Sequence, residues 1–262
     1  LGLASPGGAG RNKTLGQKEF EKLELLLPNT KEQRKIAQIL NTWDKAISTT
    51  ESLIANSQQQ KKYLMQQLLT GKKRFAGFET KWKEVKFNNI IVSTQLGTTE
   101  RHKDESLTHG IPLLKMGNLT WGGFSLSSLE VLPKNKCEES LLLKKGDFLF
   151  NTRNTPKLVD KSAVWKGQLT KATFDNNINK IIFVETIDPD FICVFLTTGK
   201  GKSLISSLSA GSTSVAAIYW KDLKNLRLKI PLLPEQQKIA SVLLAANQEI
   251  NTLQQKLTHL KQ

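Results

Sequence analysis

Two long stretches of the chain place apolar residues at alternating steps of four and three, the spacing of a coiled-coil seam. The first stretch covers about residues 31–72 and the second residues 235–262. The seam positions are Ile36, Leu40, Trp43, Ile47, Thr50, Ile54, Ser57, Lys61, Leu64 and Leu68, and then Ile239, Leu243, Ala246, Ile250, Leu253, Leu257 and Leu260. At a rise of about 1.5 Å per residue, the two helices would be ~60 Å and ~40 Å long. The pattern therefore predicts two long helices that pack as an antiparallel coiled coil, with helices folded onto a domain surface as the alternative.

The chain also contains an internal repeat, in which residues 8–59 recur 203 positions later without a gap. The clearest matched pairs are Gly8 with Gly211, Leu25 with Leu228, Pro28 with Pro231, Glu32 with Glu235, Gln33 with Gln236, Ile36 with Ile239 and Leu40 with Leu243. In both copies a proline shortly precedes the long helix. This spacing is far larger than the ~20 to 50 residues of solenoid repeats. Each repeat unit is therefore expected to be a whole domain followed by its connecting helix.

Between the long helices, from about residue 81 to 230, the pattern changes to short apolar runs separated by turn residues. NNIIVST, IPLLKM, GDFLFNT, KIIFVET and LRLKI are typical of β-strands, and residues 188–209 predict a short helix. Before the first helix, residues 1–16 read as a loop, and the next twelve read as a turn and a strand that ends at Pro28. The predicted fold is α+β: a globular domain flanked by two long helices that form an antiparallel coiled coil.

The net charge of the chain favours one class of partner. The 262 residues carry a net charge of +15 and have a pI near 9.8, which favours a polyanionic partner, with nucleic acid ahead of an acidic membrane surface. Residues 31–74 hold nine basic against three acidic residues, and residues 134–182 hold ten against five. The alternative is that the surplus serves solubility alone.

The cysteines and the apolar runs limit the cellular compartment in which the chain is expected. Cys137 and Cys193 are far apart in the sequence, so they support neither a disulfide framework nor a cysteine zinc site. No signal peptide or transmembrane run is apparent, and a cytoplasmic protein without a membrane partner is expected. The first residue is Leu1, so we expect the natural start to lie upstream.

Catalytic motifs are not supported. The TTGKGKS segment has Leu196 where a phosphate-binding loop needs glycine. A metal nuclease of the Pro-Asp then Glu-x-Lys type needs the reverse of the order found here. The three histidines lack companion ligands at metal or nucleophile spacing, and an Asn-Pro-Pro-Tyr methyltransferase motif does not occur. The sequence predicts a non-catalytic protein with no cofactor and no metal site.

An ordered set of elements resembles the specificity subunit of type I restriction-modification systems. These elements are the two proline-led EQxKIAxxL helix starts, QQKKYLMQQLLTGKKRF, FETKWKEVKF, GIPLLKMGNLT, LLKKGDFLFNTRN and AGSTSVAAIYWKDLKNLRLKIPLLPEQQKIASVL. Together they cover nearly the whole chain in the order of that family. The resemblance implies four segments: residues 1–30 as the tail of a first target recognition domain, 31–74 as the central helix, 75–230 as a target recognition domain and 231–262 as the distal helix.

The resemblance also implies a function. The family's recognition domains each read one part of a split double-stranded DNA site, while its helices set the distance and dock methyltransferase subunits that work with restriction subunits. This chain departs from the family pattern because most of the first recognition domain is absent and the distal helix stops early. A fragment, a truncated gene product, or a half-subunit that self-associates through the long helices would each explain this.

Candidate DNA-contacting residues follow from the chemistry of recognition. Phosphates are contacted by Lys, Arg and short polar donors, whereas bases are read by planar groups such as Arg on guanine and Asn on adenine. The candidates are Arg153, Asn154, Lys157, Lys161, Asn176 and Asn177 in the basic segment, Ser212 and Thr213 in a Gly-Ser loop, and Lys115 with Asn118. For a single asparagine, a structural role in a turn explains the residue equally well. Gly211 fits either close backbone contact or a turn with positive φ. Trp121, Trp165 and Trp220 are expected in core or rim packing.

Two other functions stay open at this point. One is the recognition region of a single-chain restriction enzyme that also methylates, and the other is a coiled-coil scaffold whose basic surface is incidental.

The first long helix ends in a basic cluster, Lys72, Lys73 and Arg74. The helix dipole explains this cluster, with DNA contact or subunit docking as the alternative.

Overall fold

The computed structural model describes residues 21–22, 24–101, 109–211 and 215–262. The chain forms two compact units: a smaller unit of Leu1–Ile54 with Leu253–Gln262, and a larger unit of Ala55–Thr252. The helices are α1 (Thr30–Leu68), α2 (Pro189–Thr197), α3 (Gly199–Ser206), α4 (Trp220–Leu223) and α5 (Leu233–Leu260). The α+β class and the two long helices that the sequence predicted are confirmed.

Twelve short strands lie in the described part of the larger unit. They are β1 (Lys83–Lys86), β2 (Ile91–Leu96), β3 (Ile111–Leu114), β4 (Glu130–Leu132), β5 (Phe148–Asn151), β6 (Arg153–Asn154), β7 (Ser162–Val164), β8 (Thr173–Phe174), β9 (Ile178–Phe183), β10 (Ala210–Gly211), β11 (Ala216–Ala217) and β12 (Arg227–Ile230). They form four sheets, in the orders β2-β9-β5-β7, β4-β3-β8, β10-β11-β6 and β1-β12. Apart from the parallel pair of β3 and β8, the ladders between these strands are antiparallel. Each of the five predicted apolar runs overlaps one of these strands, although β2 extends beyond the end of its run and β9 begins before its run.

The sheet β2-β9-β5-β7 is covered on both faces, which explains the continuous apolar run of β5. Successive side chains of a strand point to opposite faces. Phe148 and Phe150 join one apolar cluster, which includes Phe191 of α2, and Leu149 joins a second cluster with Trp165. All four strand residues of β5 are buried. This sheet is therefore the centre of the globular domain.

The segment predicted as one short helix, residues 188–209, is instead two helices. Asp188 caps α2 by accepting a hydrogen bond from the Asp190 N–H at 2.9 Å. Between α2 and α3 the backbone of Thr198 is extended, and Gly199 has φ +50°. A Cβ on Gly201 would lie 2.0 Å from the Phe195 carbonyl oxygen, so only glycine permits this close contact between the two helices.

The two ends of the globular domain meet in the pair of β1 and β12, where Lys83 lies opposite Ile230. This pairing joins the segment that follows α1 to the segment that precedes α5. Gln236 at the start of α5 is buried, accepts a hydrogen bond from the Asp188 N–H at 2.9 Å and donates one to the Pro231 carbonyl at 2.9 Å. The Gln236 side chain therefore attaches the start of α5 to backbone groups of the domain.

In the larger unit, α1 and α5 run antiparallel. Towards the C-terminal end of α1, Ser57 donates a hydrogen bond to Glu249 and Lys61 donates one to Asn247. Beyond the end of the helix, Arg74 pairs with Glu235. Arg74 makes two bonds, from Nε at 2.8 Å and from Nη2 at 2.6 Å, to a carboxylate that is only 2% exposed. Its structural role goes beyond the helix dipole that the sequence suggested.

The predicted seam of α5 is confirmed, because each of its seven positions is buried or half-buried. The smaller unit contains an ion pair between Lys261 and Glu51 at 2.7 Å. Its first seam positions on α1 are exposed by about half: Ile36 by 48%, Leu40 by 58% and Trp43 by 50%. Both copies of the repeat therefore form a helix, but the first apolar positions are exposed by about half in the first copy and are buried or half-buried in the second.

Helix ends differ slightly from the prediction. The helix α1 stops at Leu68, where Lys72 was expected, because the chain turns through Gly71 at φ +68°. The helix α5 begins at Leu233, two residues before the expected Glu235.

The strand expected before Pro28 is not formed, since residues 24–29 have no regular secondary structure. Strands need a neighbour for their backbone hydrogen bonds. The repeat mate of residues 24–27 is β12, which pairs with β1, but within the described chain no strand pairs with residues 24–27. The loop predicted for residues 1–16 lies outside the described residues.

Candidate nucleic-acid interface

Arg153 is a candidate whose side chain the structure leaves available. It lies on β6, which pairs with β11 so that Arg153 is opposite Ala217. Its backbone N–H donates to the Asn151 side chain at 3.2 Å, while its own side chain is exposed and has no recorded partner among the described residues. Lys157, in the turn that follows, is also exposed. Among the described residues neither cation has an ion-pair partner, and both lie on the connection between β5 and β7, where they can contact phosphates or a base edge.

The amides of Asn118 and Asn154 are used inside the domain. Asn118 accepts from the Lys115 N–H at 2.9 Å and donates to the carbonyls of Ser125 and Ser128 at 3.1 and 3.0 Å. Asn154 accepts from the Thr155 N–H at 2.8 Å. Both geometries fit the structural role that the sequence left open for asparagine in turns.

Lys115 and Asn118 are neighbours after β3, as expected, but the ammonium group of Lys115 pairs with the carboxylate of Glu130. The side chain of Lys115 stays 41% exposed. A DNA phosphate would have to compete with this carboxylate for the ammonium group.

Asn176 and Asn177 lie beside a buried carboxylate, Asp175, which is 2% exposed. Asn177 donates to Asp175 from its backbone at 3.0 Å and from its side chain at 3.2 Å. Asn176 accepts from Nη2 of Arg101 at 3.2 Å, and the same Nη2 lies 3.4 Å from Asp175. Burial raises the pKa of Asp175, against the lowering effects of the Asn177 hydrogen bonds and of Arg101. This polar cluster holds the start of the segment that follows β2.

Lys161 lies next to Trp121, with its Nζ 5.3 Å from the centre of the indole ring. Burial, and then repulsion from Lys202, lowers the pKa of Lys161. The three tryptophans behave differently: Trp165 is a core residue at 1% exposure, Trp220 packs partly buried on the main apolar cluster, and Trp121 is 42% exposed. Core or rim packing is therefore correct for two of them, and Trp121 lies at the surface.

Ser212 and Thr213 lie outside the described residues. Their neighbour Gly211 has φ +142°, and a Cβ there would come within 2.3 Å of the Val215 carbonyl oxygen. Of the two explanations the sequence offered, the backbone requirement alone accounts for this glycine.

The model of the family described as "Type I restriction modification DNA specificity domain" matches residues 3–57 and 79–262, which is most of the chain. The chain belongs to this family. The match includes both copies of the repeated helix start and the whole domain from β1 to β12.

Three relatives illustrate the family. The type I restriction enzyme MjaVIII specificity subunit of Methanocaldococcus jannaschii is 27% identical over 238 residues, which cover 86% of this chain and 55% of the relative. The HsdS subunit from Thermoanaerobacter tengcongensis aligns with a TM-score of 0.54 at 16% identity, over 100% of this chain and 63% of the other. The type I S subunit from M. genitalium aligns with a TM-score of 0.59 at 12% identity, over 98% of this chain and 65% of the other. The chain thus spans a little over half of the curated relative and shares the fold of two solved specificity subunits.

Two cations that the sequence analysis did not select are placed beside the candidates. Arg101 donates a hydrogen bond to the Asn176 side chain, and the ammonium group of Lys202, like that of Lys161, lies over the Trp121 ring. Their partners are about 75 and 80 positions away in the sequence, so no local motif could have identified them. Within the described residues, there is no cluster of three or more His, Cys, Asp or Glu side chains arranged for a metal ion, and no helix is long and apolar enough to cross a membrane.

Proposed function

We propose that this chain is the sequence-recognition part of a type I restriction-modification complex, in which it reads one part of a split double-stranded DNA target. It would position methyltransferase subunits and, for cleavage, restriction subunits, and would carry out no chemistry itself. The observation that carries the proposal is Arg153, which is exposed, has no side-chain partner among the described residues, and lies on a paired strand of a domain in the DNA specificity family.

The placement of charge supports DNA as the partner. Arg153 and Lys157 belong to the segment of residues 134–182, which has a net charge of +5. Arg153 is the candidate for reading guanine because its planar guanidinium can make two bonds to a base edge, and Lys157 suits phosphate. Lys161, Lys115, Asn154, Asn176, Asn177, Asn118, Ser212 and Thr213 remain weaker proposals as contacts.

The long helices support the spacing and docking role. We divide the chain into residues 1–30, the tail of a first recognition domain; 31–74, the central helix; 75–230, the recognition domain; and 231–262, the distal helix. The β1 and β12 pair and the Arg74 to Glu235 bonds fix the recognition domain on its two helices. A domain fixed in this way can be held at a set distance along DNA.

The test is duplex binding, measured by fluorescence anisotropy across a range of salt concentrations, first with the chain alone and then with the modification subunit added. We expect affinity to fall steeply with salt, because each neutralised phosphate contributes about 0.9 to the slope of log K against log salt. We also expect sequence preference to appear or sharpen in the complex. Equal affinity for random and target duplexes in the complete complex would reject the proposal and leave a protein scaffold as the function.

Self-association through the long helices belongs to the same proposal. Ile36, Leu40 and Trp43 form an exposed apolar row at the start of α1, and such a row favours contact with a partner helix. Sedimentation velocity of the chain and of Leu40→Glu is the measurement. A dimer that the charged variant breaks is the expected result, and a monomer at all concentrations would remove self-association from the proposal.

A further inference from the structure

A compact cluster of charged side chains surrounds Trp121 on the surface of the recognition domain. The cluster, called the Trp121 cluster below, consists of Trp121, Asp160, Lys161, Lys202 and Ser206. Asp160 is only 2% exposed and accepts hydrogen bonds from the Trp121 Nε1 at 3.4 Å, from the Lys202 ammonium group and from the Ser206 hydroxyl. One buried carboxylate thus holds three side chains from two separate parts of the chain.

The ammonium groups of both lysines lie over the same indole ring. The Nζ of Lys202 is 4.4 Å and the Nζ of Lys161 is 5.3 Å from the ring centre of Trp121. Attraction of a cation to an aromatic face stabilises such a placement. The two lysines nevertheless repel each other, and this repulsion contributes to the lowered pKa of Lys161.

The charge of the cluster is not balanced within the protein. Asp160 pairs with Lys202, whereas no ion pair is recorded for Lys161 in the described part of the chain. The cluster therefore carries about one excess positive charge beside a tryptophan that is 42% exposed. An anion that contacts both ammonium groups would remove the repulsion and complete the charge balance.

The surroundings of the cluster point to DNA as the source of this anion. The Lys161 carbonyl accepts a hydrogen bond from the Asn151 N–H at 2.8 Å, and Arg153 lies two residues beyond Asn151 on the adjoining strand. Lys161 itself belongs to the basic segment of residues 134–182. A lysine ammonium is a compact point charge, which suits a phosphate oxygen better than the two-atom edge of a base.

We infer that Lys161 and Lys202 together bind a backbone phosphate of duplex DNA, and that Asp160 is the positioning residue that holds Lys202 for this contact. Trp121 keeps the two ammonium groups at one face of the domain, and Ser206 fixes the second oxygen of Asp160. The inference rests on the proposed function and adds to it a phosphate contact in which Trp121, Asp160, Lys202 and Ser206 join Lys161.

The experiment measures duplex binding by the full chain, with its modification subunit, as a function of salt. The variant Lys161→Ala/Lys202→Ala is compared with Lys224→Ala/Lys229→Ala, which removes the same charge at two exposed lysines of the α4 to β12 region. We expect the first variant to lower the slope of log K against log salt by about 0.9, which is roughly an eight-fold loss of affinity at 0.1 M salt relative to 1 M. The loss should be the same for target and random duplexes, and the control should keep the wild-type slope.

The variant Asp160→Asn separates positioning from charge. It raises the net charge by one, so simple electrostatics predicts tighter binding, whereas loss of positioning predicts weaker binding. We expect weaker binding with wild-type helix content by circular dichroism. If this variant fails to fold, the double lysine variant still decides the question, because both lysine side chains are half-buried and neither belongs to an apolar cluster.

Three results would overturn the inference. They are a wild-type slope in the double lysine variant, a loss confined to the target duplex, and a melting temperature that inorganic phosphate raises in the wild type but not in the double variant while both bind DNA equally. The last result would assign the cluster to a free anion. In each case salt-dependent binding with a preference for the target duplex by the wild-type complex would leave the proposed function intact, and the absence of that binding or of that preference would reject the proposed function.

Discussion

Leu243 and Leu40 occupy equivalent positions of the repeat, 203 residues apart, yet the structure gives them opposite surroundings. Leu243 on α5 is 0% exposed within the main apolar cluster, whereas Leu40 on α1 is 58% exposed. Substitution with alanine removes the same atoms from the same helical position in both. The pair therefore isolates the contribution of burial from that of helix propensity.

The expected magnitudes differ clearly. Removing a fully buried leucine side chain costs about 3 to 5 kcal/mol, from lost transfer free energy plus the cavity left behind. An exposed position away from special features changes stability by about 0.5 kcal/mol or less. For a unit of this size, each kcal/mol corresponds to about 2 to 4 °C in melting temperature. We expect Leu243→Ala to melt at least about 6 °C below the wild type and Leu40→Ala to melt within about 2 °C of it.

Circular dichroism with thermal and urea denaturation provides the assay, at protein concentrations where ultracentrifugation shows a monomer. Ile239→Ala and Ile36→Ala form a second matched pair, with exposures of 2% and 48%. Equal destabilisation within both pairs would refute the placement of α5 against the globular domain.

Three further predictions concern the recognition domain. Arg153→Ala should either relax one base position or weaken all duplexes alike, which a panel of single-base target variants measures; no change in either would show that the basic segment was misread. Burial raises the pKa of the Cys193 thiol to about 12, so a thiol reagent at pH 8 should label the half-buried Cys137 at once and Cys193 only as the protein unfolds. Equal labelling rates would contradict this burial. Because burial raises the pKa of Asp175, the folded state binds its proton more strongly than the unfolded state does, so this residue lowers stability as pH rises from about 4 through the raised value. Asp175→Asn keeps an acceptor for Asn177. Urea titrations should show that the free energy of unfolding of this variant, relative to that of the wild type, increases from pH 3 to pH 7. A difference that does not change with pH would contradict a raised pKa for the buried carboxylate.

The parts of the fold that follow from periodicity were readable from the sequence. The four-three spacing identified both helices, and apolar runs such as FLF identified strands, of which the structure shows β5 to be buried on both faces. Where the local sequence was not sufficient to predict secondary structure, contacts with other parts of the chain determined it. The LELLL segment before Pro28 has the composition of a strand but no neighbouring strand in the described chain, and the helix of residues 188–209 breaks at Thr198 to bring Gly201 against Phe195.

The candidate site was predictable only at the level of a basic segment. Sequence could not tell that the Arg153 side chain has no partner among the described residues while the Asn118 amide makes three hydrogen bonds, because such partners depend on loop geometry. It also treated Trp121 and Trp165 alike, although one is exposed and the other is in the core. Contacts across many residues, such as Asp160 with Lys202, have no signature in a single sequence.

We propose that this chain chooses the DNA sequence that its complex modifies. The most direct measurement is a genome-wide map of methylated adenines in host cells that carry the gene, lack it, or carry Arg153→Ala. The account predicts a two-part methylation motif that disappears without the gene and whose specificity or occupancy changes in the variant. A motif that persists unchanged when the gene is removed would contradict it.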